Sequence, residues 1–245
     1  MPDNERKEPL GAGRMLWVSD VHTFGTDAVV LADFAAPRSR DRALDLGTGC
    51  GIIPLLWLSE GKTGFISGVE ISPEACRLAE DSARENGWTV KFEVVNADMR
   101  KLRGILGSEQ YDLVTCNPPY FKDGSGYISP VEGRADARSE LTCTIEDVLT
   151  AASQNLKYGG RFCLCHRPER LVDVLETMRR FKIEPKRLRF VEDTAGKAPW
   201  LILVEGKKGG KPSLSIEPPL VMKNADGTRT EEMRRIYGKY GEGVI

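Results

Sequence analysis

The 245-residue sequence contains no apolar run approaching the length of a membrane-spanning helix, so no transmembrane segment is expected. Histidine is scarce: there are only two, His22 and His166, far apart in the chain. The six cysteines, Cys50, Cys76, Cys116, Cys143, Cys163 and Cys165, include no Cys-x-x-Cys pair. Metal ligands at zinc-site spacing are therefore missing, and no metal is expected. Most of these cysteines lie in apolar stretches, which reads as reduced, buried thiols of a cytoplasmic protein. Met1 to Pro9 is polar and charged, which argues against a secretory signal. Internal repeats are absent. One glycine-rich turn is present, but it lacks two phosphate-binding signatures. No lysine followed by Ser or Thr closes it, and Ile52 stands where a dinucleotide fingerprint requires a third small residue.

Net charge is also nearly absent, at −1, but its distribution is uneven. Residues 41–150 hold 11 Lys and Arg against 18 Asp and Glu, whereas residues 151–245 hold 19 against 12. A basic last third is compatible with solvated faces or with a surface for nucleic-acid phosphates.

Short apolar runs alternate with helical patterns. Ala43–Leu46, Phe65–Val69, a period-two stretch through Val90, Phe92 and Val94, Asp112–Cys116, Arg161–His166, Leu188–Val191 and Trp200–Val204 read as strands. Helices are expected from Ala28 to Phe34 with Asp27 as N-cap, over Ile52–Leu58, and from Ser72-Pro73-Glu74 to Asn86-Gly87. Two more are expected, over Thr144–Leu156 closed by Gly159-Gly160, and from Pro168 through Phe181. The alternation predicts an α/β fold: a seven-stranded, mostly parallel sheet with helices on both faces. The expected organisation is an N-terminal extension and first helix (1–40), a core (41–205) and a basic C-terminal segment (206–245). Gly206 to Pro212 reads as a flexible basic turn, and the stretch beyond Leu220 as a polar tail with some helix.

The glycine-rich turn, Asp45-Leu46-Gly47-Thr48-Gly49-Cys50-Gly51, follows the first core strand, where α/β folds bind nucleotides. Its Gly-x-Gly-x-Gly pattern resembles motif I of class I S-adenosylmethionine-dependent methyltransferases, whose Rossmann-like fold needs no phosphate cradle. Two acids at later strand ends support the resemblance. Glu70 is placed to accept both ribose hydroxyls of the cofactor. Asp98, in Asn96-Ala97-Asp98-Met99, would face its adenine amine. The resemblance further implies cofactor contacts at Thr26, Asp45, Gly47, Thr48, Gly49, Gly51, Ile71, Met99 and Asn117.

The sharpest motif is Cys116-Asn117-Pro118-Pro119-Tyr120. Two prolines stiffen the backbone and remove two N–H donors, leaving the Pro118 carbonyl exposed beside the Asn117 side-chain oxygen. An amine conjugated to a ring or a carbonyl is a poor nucleophile. Two acceptors that hold its hydrogens would turn the lone pair toward a methyl donor. Tyr120, with Phe121 next to it, would stack on the planar group. The expected catalytic residues are therefore Asn117, Pro118, Pro119 and Tyr120.

Asn-Pro-Pro-Tyr is similar to the motif shared by adenine N6- and glutamine N5-methyltransferases. Phe24-Gly25-Thr26-Asp27-Ala28-Val29-Val30-Leu31, His166-Arg167-Pro168-Glu169-Arg170-Leu171, Glu184-Pro185-Lys186-Arg187 and Glu205-Gly206-Lys207-Lys208-Gly209-Gly210-Lys211 extend the likeness. Together they resemble the tRNA1(Val) adenine-37 N6-methyltransferase family from about Gly25 to about Leu220. That resemblance implies methylation of N6 of an adenine beside a tRNA anticodon, a tRNA anticodon stem-loop as partner, and a monomer or weak dimer. His166, Arg167 and Arg170 read either as RNA contacts or as solvated charge at a helix start. Ala137-Arg138-Ser139-Glu140 departs from the Ala-Arg-His-Glu expected there. The glycines of Gly124 to Arg134 suggest a mobile lid. The runner-up activity is glutamine N5-methylation of a protein such as a release factor. It is disfavoured because only about forty residues precede the first core strand, too few for a helical domain with its own core. No insertion suits a DNA target-recognition domain, and a cofactor binder without turnover would not need both Asn117 and Tyr120.

Overall fold

The computed structural model describes residues 4–61, 63–118 and 143–240. The glycine loop follows strand β3 (Arg42–Leu46), whose side chains alternate between two cores: Ala43 joins one, Leu44 and Leu46 the other. The same alternation runs through β4 (Phe65–Glu70), β5 (Phe92–Asn96), β6 (Tyr111–Cys116) and β7 (Leu156–His166). Leu113, Cys163 and Cys165 face one way, and Val114, Cys116, Phe162 and Leu164 the other. Both faces are covered, so these strands read as near-continuous apolar runs. On the Ala43 face lie α1 (Thr26–Ala35), α2 (Ile52–Ser59) and α3 (Pro73–Glu85). On the other lie α4 (Ile145–Asn155) and α5 (Leu171–Arg180).

Strands β8 (Ile183–Thr194) and β9 (Leu201–Lys208) complete the seven expected strands, in the order β8-β9-β7-β6-β3-β4-β5. Only β9 runs antiparallel within it. Two short strands, β10 (Ser215–Ile216) and β11 (Leu220–Lys223), add to β8 and bring the sheet to nine. The chain leaves β3 in one direction towards β4 and β5, and in the other towards β6 and β7. The reversal between β3 and β6 opens a crevice at the carboxyl ends of the strands.

Several local expectations fail for identifiable reasons. Gly159-Gly160 do not close α4. The helix ends at Asn155, β7 begins at once, and the two glycines lie in a bulge between the Tyr111–Leu156 and Leu113–Arg161 pairs. Gly206 is not in a flexible turn but in buried β9, where a Cβ would meet Met178 Cε at 2.3 Å and Ile183 Cγ2 at 2.7 Å. The stretch beyond Leu220 is no polar tail, because α6 (Glu231–Tyr240) buries Met233, Ile236 and Tyr237 in the same core as α1. Val90 lies outside β5 and is exposed. The N-terminal extension holds a hairpin, β1 (Glu5–Gly11) and β2 (Arg14–Ser19), whose Leu10, Leu16 and Val18 pack into that core. The almost entirely polar sequence of β1 hid it. Asp27 is not the N-cap of α1: Gly25 occupies that position with no side-chain cap, and Asp27 lies in the first turn.

Candidate active site

The crevice holds a cleft of about 260 Å³ lined by residues from four successive strand ends. After β3 come Leu46 and Gly47; after β4, Glu70, Ile71 and Ser72; after β5, Ala97 to Arg100; and after β6, Asn117 and Pro118.

The loop after β3 is fastened from below. The backbone N–H groups of Gly47 and Thr48 both donate to the Val69 carbonyl, at 2.9 and 3.0 Å. Gly51 has φ 84° and packs so closely that a Cβ would lie 3.0 Å from Ala79 and 3.2 Å from Phe92, so its glycine is both a conformational and a packing requirement. Glu70 ties the loop to the next helix: one carboxylate oxygen accepts from Gly49 N and the other from Ser72 N, each at 2.9 Å. Its orientation at the cleft wall is thereby fixed before any ligand enters.

Asp98 accepts from the backbone N–H of Arg100 and from its guanidinium, the closest contact being 2.7 Å, and that pairing lowers its pKa. Asp45 lies under the loop, almost fully buried, and accepts a 2.7 Å bond from the Thr115 hydroxyl. Burial, with the Glu70 charge adding to it, pushes its pKa up to about 7 against the hydroxyls beside it.

At the end of β6, Asn117 is held on both sides. Its Nδ2 donates to Asp27 Oδ2 at 3.1 Å, and its Oδ1 accepts from the Cys165 thiol at 3.0 Å. A carboxylate can only accept from the amide and a thiol can donate to it, so the pair of partners defines which way the amide faces.

The structure thus brings Gly47, Glu70, Ile71, Asp98, Met99, Asn117 and Pro118 together at the cleft. Asp45, Thr48, Gly49 and Gly51 lie in or under the loop rather than on the cleft wall, and Thr26 is bonded to the Tyr237 hydroxyl of α6 at 2.9 Å. His166 is buried at the end of β7, and its Nδ1 accepts from Arg167 N. Burial lowers its pKa, with Arg170 adding to the effect, so a charged contact to phosphate is disfavoured. Arg170 pairs with Asp173 at 2.7 Å, and Arg167 reaches the Trp200 carbonyl. Pro119, Tyr120, Phe121, the Gly124–Arg134 lid and Ala137–Glu140 lie outside the described residues.

Sequence reasoning missed His22, Arg100, Cys143 and Val148 in the cleft lining. His22 arrives from the segment after the hairpin, held by reciprocal bonds with Ser19, and its Nε2 is 3.2 Å from Ser72 Oγ. Its rarity in the sequence was the only available signal. Among the described residues no helix is long and apolar enough to cross a membrane, and no group of three metal-ligating side chains occurs.

Comparisons with known proteins agree with this architecture. Residues 23–181 match the family model described as the methyltransferase small domain. A tRNA1(Val) (adenine(37)-N6)-methyltransferase of Porphyromonas gingivalis is 30% identical over 74% of this chain and 72% of its own. The enzyme of the same name from Serratia proteamaculans is 30% identical over 86% of this chain and 80% of its own. Among solved structures, a predicted O-methyltransferase from Agrobacterium tumefaciens superposes with a TM-score of 0.69 at 22% identity, covering 88% of this chain and 97% of that one. Geranyl diphosphate C-methyltransferase from Streptomyces coelicolor, in complex with S-adenosyl-L-homocysteine, superposes at 0.55 and 13% identity, covering 75% and 77%. These two share the fold. A four-strand cleft with a glycine floor and carboxylate walls, on a sheet of this order, accords with the match over 23–181: the chain belongs to the methyltransferase small domain family.

Proposed function

We propose that this protein transfers a methyl group from S-adenosylmethionine to the exocyclic N6 of an adenine in tRNA, adenine 37 beside the anticodon, the activity in the names of its Porphyromonas and Serratia relatives. The observation that carries the reading is Asn117: a side-chain amide at the mouth of the cleft, its orientation defined by Asp27 and Cys165, with Pro118 next to it.

The cleft suits this cofactor chemically. Leu46, Val69, Ala97, Met99 and Val148 offer apolar surface to a flat ring. Glu70 and Asp98 offer acceptors for sugar hydroxyls and a ring amine, and would repel a pyrophosphate. Arg100 is already engaged by Asp98. When bound, the cofactor supplies an electrophilic methyl group on a sulfonium. The chain's own task is then positioning. The Asn117 oxygen and the Pro118 carbonyl accept the two amine hydrogens, so that the lone pair leaves conjugation and points along the transfer line. No strong base is required at the amine. In this reading Pro119, Tyr120 and Phe121 hold the base, the anticodon stem-loop is the partner, and Arg167 and Arg170 lie just past the end of β7, the strand adjoining the catalytic one.

The test uses labelled S-adenosylmethionine, the purified protein and bulk tRNA from cells lacking the gene, followed by nucleoside analysis. Labelled N6-methyladenosine that falls at least ~100-fold with Asn117→Ala is the expected result. Label in a release factor but not in tRNA would replace this reading with glutamine methylation.

A further inference from the structure

The first turn of α1 is far from the Asn117 motif in sequence, yet its Asp27 carboxylate reaches the Asn117 side chain. We propose that Asp27 is a positioning residue for methyl transfer, acting through Asn117, and that Gly25 exists in this chain to admit its carboxylate. The proposal rests on the reading of Asn117 as the acceptor of the target amine's hydrogens.

Three observations converge on it. The first is the bond itself. Asp27 Oδ2 takes the Nδ2 hydrogen of Asn117 at 3.1 Å, while Asp27 Oδ1 takes the Ala28 N–H at 2.9 Å. The carboxylate is thus anchored to its own helix by one oxygen and presents the other to the site. The second is the opposite side of the amide, where the Cys165 thiol lies 3.0 Å from Oδ1. Strand parity explains this meeting. Leu113, Cys163 and Cys165 all face the α1 side of the sheet, and Asn117 continues the odd-numbered register of β6. The third is Gly25. A Cβ at that position would lie 2.6 Å from Asp27 Oδ1, inside any real contact distance, although Gly25 has an extended backbone that any residue can adopt. Backbone conformation therefore does not demand glycine here, but a Cβ would have to displace the Asp27 carboxylate from its present position.

The chemical consequence follows from amide resonance. A carboxylate that accepts from the amide nitrogen's hydrogen favours the polarised form, in which negative charge accumulates on Oδ1. That oxygen is the atom proposed to hold the amine of the substrate. Asp27 would also keep the amide from flipping, which would present a donor where an acceptor is needed.

The test is an exchange of the pair, in the full-length protein. Asp27→Asn opposes two amides, and Asn117→Asp opposes two carboxylates; both changes preserve shape. The double variant, Asp27→Asn with Asn117→Asp, restores a donor opposite a carboxylate and leaves an acceptor facing the substrate. Single-turnover rates are measured on tRNA from cells lacking the gene, with cofactor affinity measured separately by calorimetry. Asp27→Asn is expected to slow transfer about 10- to 100-fold, the range for outer partners of site residues, with cofactor Kd changed less than about twofold, and Asn117→Asp to slow it at least as much. The double variant is expected to be faster than either single one. Gly25→Ala should slow transfer in the same direction by displacing the carboxylate, and Asp27→Glu should retain more activity than Asp27→Asn. In 15N-labelled protein, the Asn117 side-chain amide resonance should move in Asp27→Asn whether or not turnover occurs.

Rates in the double variant that equal the product of the two single losses would overturn the proposal, because the residues would then act independently. So would a loss confined to cofactor Kd, which would make Asp27 a cofactor ligand, or an Asn117 resonance indifferent to Asp27. An Asn117→Ala variant as active as the wild type would instead overturn the catalytic reading of Asn117, and the positioning role with it.

Discussion

Asp45 carries a pH-dependent stability effect that can be worked through from the structure. It is 1% exposed beneath the glycine loop, and burial raises its pKa from 3.8 to about 7. Between these values the folded state holds a proton that the unfolded state has released. Folding stability from this group therefore falls as pH rises through that window, and levels off once the folded carboxyl also ionises. With about 1.36 kcal/mol per pH unit, the loss is roughly 2 kcal/mol from pH 5 to pH 7 and only a few tenths beyond. Asp45→Asn keeps the size and an oxygen to accept from Thr115, at 2.7 Å in the native protein, but cannot ionise. Urea unfolding of both proteins at pH 5, 6, 7 and 8 isolates the term, since every other titrating group is common to the two. The stability of Asp45→Asn relative to wild type should rise by roughly 2 kcal/mol between pH 5 and 7, then flatten. A difference that stays constant across that range would refute the argument that burial keeps Asp45 protonated.

Two further outcomes are expected. Ile236→Ala removes a fully buried side chain of α6 and should cost about 3 kcal/mol, seen as a fall in Tm of roughly 6–12 °C; a change under about 1 kcal/mol would mean that α6 does not belong to the core. Glu70→Gln places an amide donor against one of two backbone N–H groups, those of Gly49 and Ser72, and leaves that group unpaired. Calorimetry should show S-adenosylmethionine binding weakened by at least about tenfold, with a stability loss of about 1–3 kcal/mol.

The alternating fold, the loop after β3, the acids at the ends of β4 and β5, and the Asn117 motif were all legible in the sequence. Each is local: a period, a turn requirement or a strand terminus, all written within a few residues. The hairpin Glu5–Ser19 was illegible because β1 is nearly all polar, with Leu10 its one buried apolar residue, and the apolar run of β2 finds its partners only once α2 and α3 are in place. The buried face of α6 was hidden in the same way, since Met233, Ile236 and Tyr237 are spaced for a helix but surrounded by charge. Gly159 and Gly206 were misread because glycine signals a turn in sequence, whereas in β7 and β9 it answers a bulge and a close approach. The contact between Asp27 and Asn117, by contrast, emerges only from long-range packing. An aspartate suits either a helix cap or a partner of Asn117, and nothing local separates the two. The contact exists because α1 packs on the face of the sheet to which Leu113, Cys163 and Cys165 point, a long-range pairing that no sequence window contains.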